Sequence, residues 1–189
     1  MTRITKPDYV RELCAVDIDA IKKLVTRTSD HVWNVEDSRK ENNFECFHDT
    51  RHIIFRFIEG MRDHREFYSN DIWLIWKSYL LPLISEIVVH YEFELPVYPK
   101  IMLARLAAGA VIDRHTDGAG SNLFTHKIHV PLQTNERALM FIRDQPFQLK
   151  EGHAYELNNL VPHGAENLGT EDRIHLIFEV FDQRKQATL

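Results

Sequence analysis

Six short apolar runs crowd the second half of this 189-residue chain, at residues 101–106, 124–132, 138–142, 147–149, 154–157 and 174–181. Gly109, Gly118, Gly120, Gly152 and Gly164, with Pro131, Pro146 and Pro162, punctuate them. Runs of this length between turn residues read as strands. Many short strands in succession bury their apolar faces in a sandwich, a jelly roll or a barrel.

The first half reads differently. Asp17 precedes Ile18, Ile21, Leu24 and Val25, apolar at helical spacing, and is placed to cap a helix. Residues 30–43 are polar and irregular. Residues 52–58, β-branched and aromatic and ended by Gly60, read as a strand. Trp73, Trp76, Leu80, Leu83 and Ile87 recur every three or four residues and mark an amphipathic helix begun near Ser69 and Asn70. Pro82 is expected to kink or divide it. No repeat, linker or low-complexity stretch breaks the chain. The expectation is a single domain over residues 1–189, mainly β with N-terminal helices. Residues 1–97 are read as a mostly helical buttress with lid elements, and residues 98–183 as a jelly-roll core carrying the site.

Composition narrows the partners. The chain is 44% hydrophobic and 27% charged, with Lys plus Arg at 23 against Asp plus Glu at 28, a net charge of −5. That balance, without a dense basic run, argues against sequence-independent nucleic-acid binding. Residues 72–89 are the most apolar stretch, but Lys77, Ser78, Pro82, Ser85 and Glu86 interrupt it, so it is not a membrane span. The N-terminus has no apolar signal core, and Cys14 and Cys46 read as free thiols. The expectation is a cytoplasmic protein with a small-molecule substrate and no nucleic-acid or membrane partner.

Chemistry-bearing residues fall in the strand-rich half. His115, Thr116 and Asp117 follow a strand, so His115 and Asp117, two apart, can share a face, and Gly118 and Gly120 make the turn beyond. Alone this His-x-Asp is weak: 11 His and 13 Asp in 189 positions give roughly one such triplet by chance. His163 stands at a second strand edge behind Pro162, and Arg173 lies ten residues further on. Taken singly, His163 reads as a loop histidine and Arg173 as a solvated charge. Jointly, two imidazoles and a carboxylate are the set that holds non-haem Fe(II) on one face and leaves the other open.

His115-x-Asp117, His163 and Arg173 at plus ten resemble the 2-oxoglutarate/Fe(II)-dependent oxygenases. Four segments, at residues 114–118, 127–129, 158–169 and 172–182, extend the likeness to the aspartyl/asparaginyl β-hydroxylase-like branch, which includes bacterial proline hydroxylases. It covers about residues 98–183. The resemblance implies a double-stranded β-helix (a cupin-like jelly roll) and a need for Fe(II), 2-oxoglutarate and O2. It further implies His115, Asp117 and His163 as iron ligands, and Arg173 as the grip on the far carboxylate of 2-oxoglutarate. Lys127 and His129 stand where the branch has an Arg-x-His pair that contacts the cosubstrate, and His175 shares the face of Arg173. Asp117 departs from the two-histidine hydroxylases of the branch, pointing away from them and from halogenases toward the free-amino-acid hydroxylases.

The activity expected is hydroxylation of an unactivated C–H bond of a free amino acid or amino-acid-derived small molecule. The alternatives are a hydroxylase of Asp, Asn or Pro side chains in a peptide or protein, and a non-oxygenase cupin-like metal-binding isomerase or small-ligand sensor. Arg105 and Arg143 are candidate anchors for a substrate carboxylate, and Arg51, His52 and Arg56 are candidates in the lid. Asn158, Asn159 and Asn167 are read as turn formers that orient His163.

Overall fold

A computed structural model describes residues 3–41, 44–118 and 120–186. In chain order the elements are β1 (Val10–Ala15), α1 (Asp19–Arg27), α2 (Asp30–Asp37), β2 (Thr50–Ile58), β3 (Phe67–Ser69), α3 (Trp73–Val88), β4 (Pro96–Leu106) and β5 (Val111–His115). There follow β6 (His126–Gln133), β7 (Ala138–Ile142), β8 (Gln145–Phe147), β9 (His153–Leu157), β10 (His163–Asn167), β11 (Arg173–Asp182) and α4 (Gln183–Gln186). All pairings are antiparallel. The larger sheet runs β1-β9-β6-β11-β4-β2-β3 and the smaller β5-β10-β7-β8. This is the expected jelly roll.

Alternation along the strands decides which face each side chain takes. On β11, Ile174, Leu176, Phe178 and Val180 join Ile128, Val130 and Leu132 of β6, Ile101 and Leu103 of β4, and Ile53 and Phe55 of β2 in one core. Ile21 and Val25 of α1 and Trp73, Trp76, Leu80, Ile84 and Ile87 of α3 cover that face. The opposite face of the same strands carries Arg173, His175, Glu179, Lys127, His129 and Lys100, turned toward the smaller sheet. A second core, formed by Leu106, Tyr155, Leu157, Met140, Ile142 and Ala165, joins the two sheets at one end.

The N-terminal half departs from the expectation in three respects. β1 and β3 join β2, the strand expected at residues 52–58, in the larger sheet, and among the described residues α1, α2 and α3 buttress it. Residues 30–37, read as irregular, form α2: the Ser29 hydroxyl accepts the Val32 N–H, and Trp33 is fully buried. α3 runs unbroken through Pro82. Asp17 acts one residue outside its expected place, accepting the Asp19 N–H at 2.9 Å while Ile18 takes the capping position. Both cysteines are free, and among the described residues no helix is long and apolar enough to cross a membrane.

Candidate active site

Strand pairing brings the distant motifs together. His115 ends β5, and its register partner is His163, the first residue of β10; their rings lie 4.3 Å apart. Asp117 sits in the turn beyond, its N–H donating to the Asn159 carbonyl at 3.1 Å. Gly164 permits the close strand approach, because a Cβ there would stand 2.6 Å from the Ile112 carbonyl oxygen.

Backbone carbonyls orient both imidazoles. His115 Nδ1 donates to the Asp113 carbonyl at 2.8 Å, and His163 Nδ1 to the Val161 carbonyl at 2.9 Å. In the neutral rings this leaves each Nε2 with a lone pair. Asp117 Oδ1 lies 3.8 Å and 3.9 Å from those two nitrogens. Its Oδ2 is turned away, accepting from Lys127 Nζ at 2.6 Å and Asn159 Nδ2 at 2.8 Å. Burial pulls His163 down to about 4, against the opposing pull of Asp117, so it is neutral at pH 7. Burial alone would raise Asp117, but Lys127, His163 and Lys100 outweigh it and hold the carboxyl far below the usual range.

Three acceptor atoms thus face one another within 4.8 Å. Such an arrangement is repulsive until a cation sits among them. Two nitrogens and one oxygen suit Fe(II) and leave further coordination positions open. The donor set therefore fits the metal that the resemblance implies.

The cavity beside these residues has a volume of about 580 Å³. Arg173 and His129 line it, both at least 95% buried. Among the described residues no carboxylate pairs with Arg173. Its guanidinium lies against His175 alone, with Nε 3.0 Å from Nε2 and Nη2 2.8 Å from Nδ1. A neutral imidazole accepts at one nitrogen only, so most of the guanidinium N–H groups lack acceptors. Burial pulls Arg173 down to about 10, still cationic at neutral pH. His129 Nε2 is likewise buried with no hydrogen-bond partner among the described residues. A buried cation and an orphaned imidazole nitrogen beside a cavity fit an anionic guest, as 2-oxoglutarate would be.

Other expected residues fall elsewhere. Lys127 lines the cavity, with its Nζ engaged by Asp117. Asn159, expected to orient His163, instead holds Asp117. His175 stands behind Arg173, outside the lining. Neither Arg105 nor Arg143 is among the residues that line this cavity. Arg105 takes the opposite face of β4, where it pairs with Asp172 and Asp30 and covers the Trp33 ring. Arg143 is exposed on the β7–β8 turn, its N–H donating to the Pro162 carbonyl. Of the lid candidates, only His52 reaches the cavity. Contributors that escaped the sequence reading include Phe47, whose ring meets His115 edge-on at 5.0 Å, Met102, Lys100, Phe57 and Ile177. Alternation along β4 would have placed Lys100 and Met102 on one face; the reach of Phe47 had no local signal.

Similar solved structures share this architecture. A protein of the 2OG-Fe(II) oxygenase family from Burkholderia pseudomallei superposes with a TM-score of 0.60 at 10% identity, over 92% of this chain and 84% of that one. EvdMO1 gives 0.59 at 16% identity over 94% and 48%, respectively. The viral collagen prolyl hydroxylase vCPH from Paramecium bursaria Chlorella virus-1, in its 2OG complex, gives 0.52 at 10% over 92% and 96%. At such identities the likeness is one of fold. A search of curated protein sequences gives no match. The class that fold and family define is that of the 2-oxoglutarate- and Fe(II)-dependent oxygenases. The sequence profile of the aspartyl/asparaginyl β-hydroxylase family matches residues 58–183, and the chain belongs to that family.

Proposed function

We propose that this enzyme hydroxylates an unactivated C–H bond of a free amino acid or amino-acid-derived small molecule. His115, Asp117 and His163 would hold Fe(II), and Arg173 with His129 would hold 2-oxoglutarate. The observation that carries this reading is a buried, carboxylate-free Arg173 in the same cavity as three mutually facing metal donors. When bound, iron and cosubstrate supply the oxidising power: O2 is consumed, 2-oxoglutarate becomes succinate and carbon dioxide, and one oxygen atom enters the substrate.

The chain's own residues bind, aim and shield. The Asp113 and Val161 carbonyls fix the imidazoles with Nε2 inward. Lys127 and Asn159 occupy Asp117 Oδ2, so the carboxylate would offer Oδ1 to a metal. Phe47 packs against the His115 ring at 5.0 Å. The apolar wall of Phe57, Met102 and Ile177 fixes the substrate body so that one carbon is presented.

The test is succinate release from 2-oxoglutarate with Fe(II), stimulated by one or more members of an amino-acid panel, with a product heavier by one oxygen. Stoichiometric iron binding that survives loss of both His115 and His163 would refute the ligand set. Absence of succinate with every amino acid would refute the substrate reading.

A further inference from the structure

Lysines and carboxylates outside the three metal donors form one row across the inner face of the larger sheet. In register, Glu179 of β11 stands opposite Lys100 of β4 on one side and Lys127 of β6 on the other. Lys127 Nζ contacts Asp117 at 2.6 Å and Lys100 Nζ contacts Glu179 Oε1 at 2.7 Å. The other Glu179 oxygen accepts the Thr125 hydroxyl at 2.9 Å, and the carbonyl of Thr125 accepts Lys6 Nζ at 2.7 Å. Lys6 is held near 8 by burial, with Glu179 the strongest opposing charge, so it remains cationic at pH 7. Three ammonium groups therefore gather around Asp117 and Glu179, and the next carboxylate that Lys6 feels, Glu156, is itself paired with Arg11. One positive charge is left over.

Of the three lysines, Lys100 and Lys127 line the cavity, whereas Lys6 does not. Lys127 is committed to Asp117. Lys100 shares the fully buried Glu179 with the other two, and its Nζ lies 5.1 Å from the Phe57 ring centroid in a cavity that Met102 also lines. A surplus charge in such a place is stabilised by an anion. Arg173 cannot be serving the same guest, because it lies three inward-facing rows away along β11, opposite Leu106. Lys100, by contrast, is in the row that contains Lys127, which touches Asp117 at the metal end.

We infer that Lys100 anchors a carboxylate of the substrate, whose apolar body then lies between Phe57, Met102 and Ile177 and reaches the metal donors. This rests on the function proposed above and adds the substrate class: an anion with an aliphatic or aromatic body, recognised by a residue distinct from the cosubstrate arginine. Glu179 is the positioning residue, holding the ammonium at the wall until the carboxylate arrives.

The test uses the full-length protein loaded anaerobically with Fe(II) and saturating 2-oxoglutarate, titrated calorimetrically with 4-methylpentanoate and with 4-methylpentanamide. The acid is expected to bind at least about tenfold more tightly than the amide, the difference made by one charge-assisted hydrogen bond. Lys100→Gln should erase that preference, Lys100→Arg should keep it, and both should bind 2-oxoglutarate as the parent does. Lys100→Gln leaves Glu179 short of a partner; if it does not fold, the double variant Lys100→Gln/Glu179→Gln removes both charges and should show the same loss. Equal binding of acid and amide to the parent, binding of neither, or a preference that survives loss of Lys100 would overturn the assignment. Failure of the parent to take up 2-oxoglutarate would instead refute the function proposed above.

Discussion

Replacing Arg173 by Met should make the ligand-free protein more stable while disabling it. Burial lowers Arg173 from its ordinary value to about 10. At about 1.4 kcal/mol per tenfold change in proton affinity, keeping this group charged costs the fold roughly 3 kcal/mol. The sign follows from the direction: a base whose folded value is depressed destabilises the fold at every pH below that value. The penalty is therefore complete at pH 7 and is relieved only as pH rises through about 10. Methionine removes the charge and keeps an unbranched apolar stem; it forfeits the hydrogen bond to His175, worth about 1 kcal/mol. The net expectation is a gain of about 1–2 kcal/mol, or roughly 2–6 °C in Tm for a chain of this size. Against this, 2-oxoglutarate loses a bidentate, charge-assisted contact worth about 3 kcal/mol or more, about 100-fold in Kd. Thermal melts with Fe(II), anaerobically, with and without cosubstrate, should therefore cross. Without 2-oxoglutarate the variant melts higher. At about 100 times its Kd the parent gains about 2.7 kcal/mol and overtakes it. A variant that melts below the parent without cosubstrate, or that binds 2-oxoglutarate within tenfold of the parent, would show that Arg173 is a structural cation and not a waiting one.

Two further outcomes follow from other ionisable groups. Asp37 is lowered to about 2 because hydrogen bonds from His52 and Lys40 outweigh burial; Glu156, fully buried, is lowered because His126, Arg11 and Tyr91 outweigh burial. Depressed carboxylates stabilise the fold above their unfolded values and lose that contribution as pH falls. Urea denaturation should therefore show stability falling from about pH 4 downward, by about 2 kcal/mol for Asp37 alone, and a flat profile between pH 5 and 2 would contradict it. Arg105→Leu should leave the KM for 2-oxoglutarate unchanged while destabilising the fold by about 1–3 kcal/mol through loss of its pairs with Asp30 and Asp172. A tenfold rise in KM would return Arg105 to the cavity.

Much of the site was legible because its residues obey strand periodicity. Arg173 and His175 are two apart, as are Lys127 and His129, and each pair takes the inner face while Ile174, Leu176, Ile128 and Val130 take the outer one. The same rule could have excluded Arg105: it is adjacent to Ala104, which lines the cavity, and so must point the other way. Pairing and reach were not legible. That Lys127 meets Asp117 depends on a turn folding back over β6, and sequence spacing carries no measure of that distance. β1 was missed because Val10–Ala15 holds two charged residues on an edge strand, where one face is open to solvent and apolar alternation is weak. α2 was missed because its burial rests on Trp33, one side chain among polar neighbours, and not on a stripe.

By itself the sequence determined the class of fold and the inventory of chemistry. Short apolar runs with a period of two, broken by glycine and proline, can bury their surface only in packed sheets, and two imidazoles with a carboxylate set the kind of metal. Only the tertiary structure decided how charges are shared. It spent Arg105 on Asp30 and Asp172, gave Lys127 to Asp117, and left Arg173 and one charge of the Lys6, Lys100 and Lys127 group uncompensated. The physical reason is range. Burial and alternation are local properties that spacing encodes, whereas the partner of a buried charge is set by contacts across strands far apart in the chain, and in a low-dielectric interior those contacts dominate the energy.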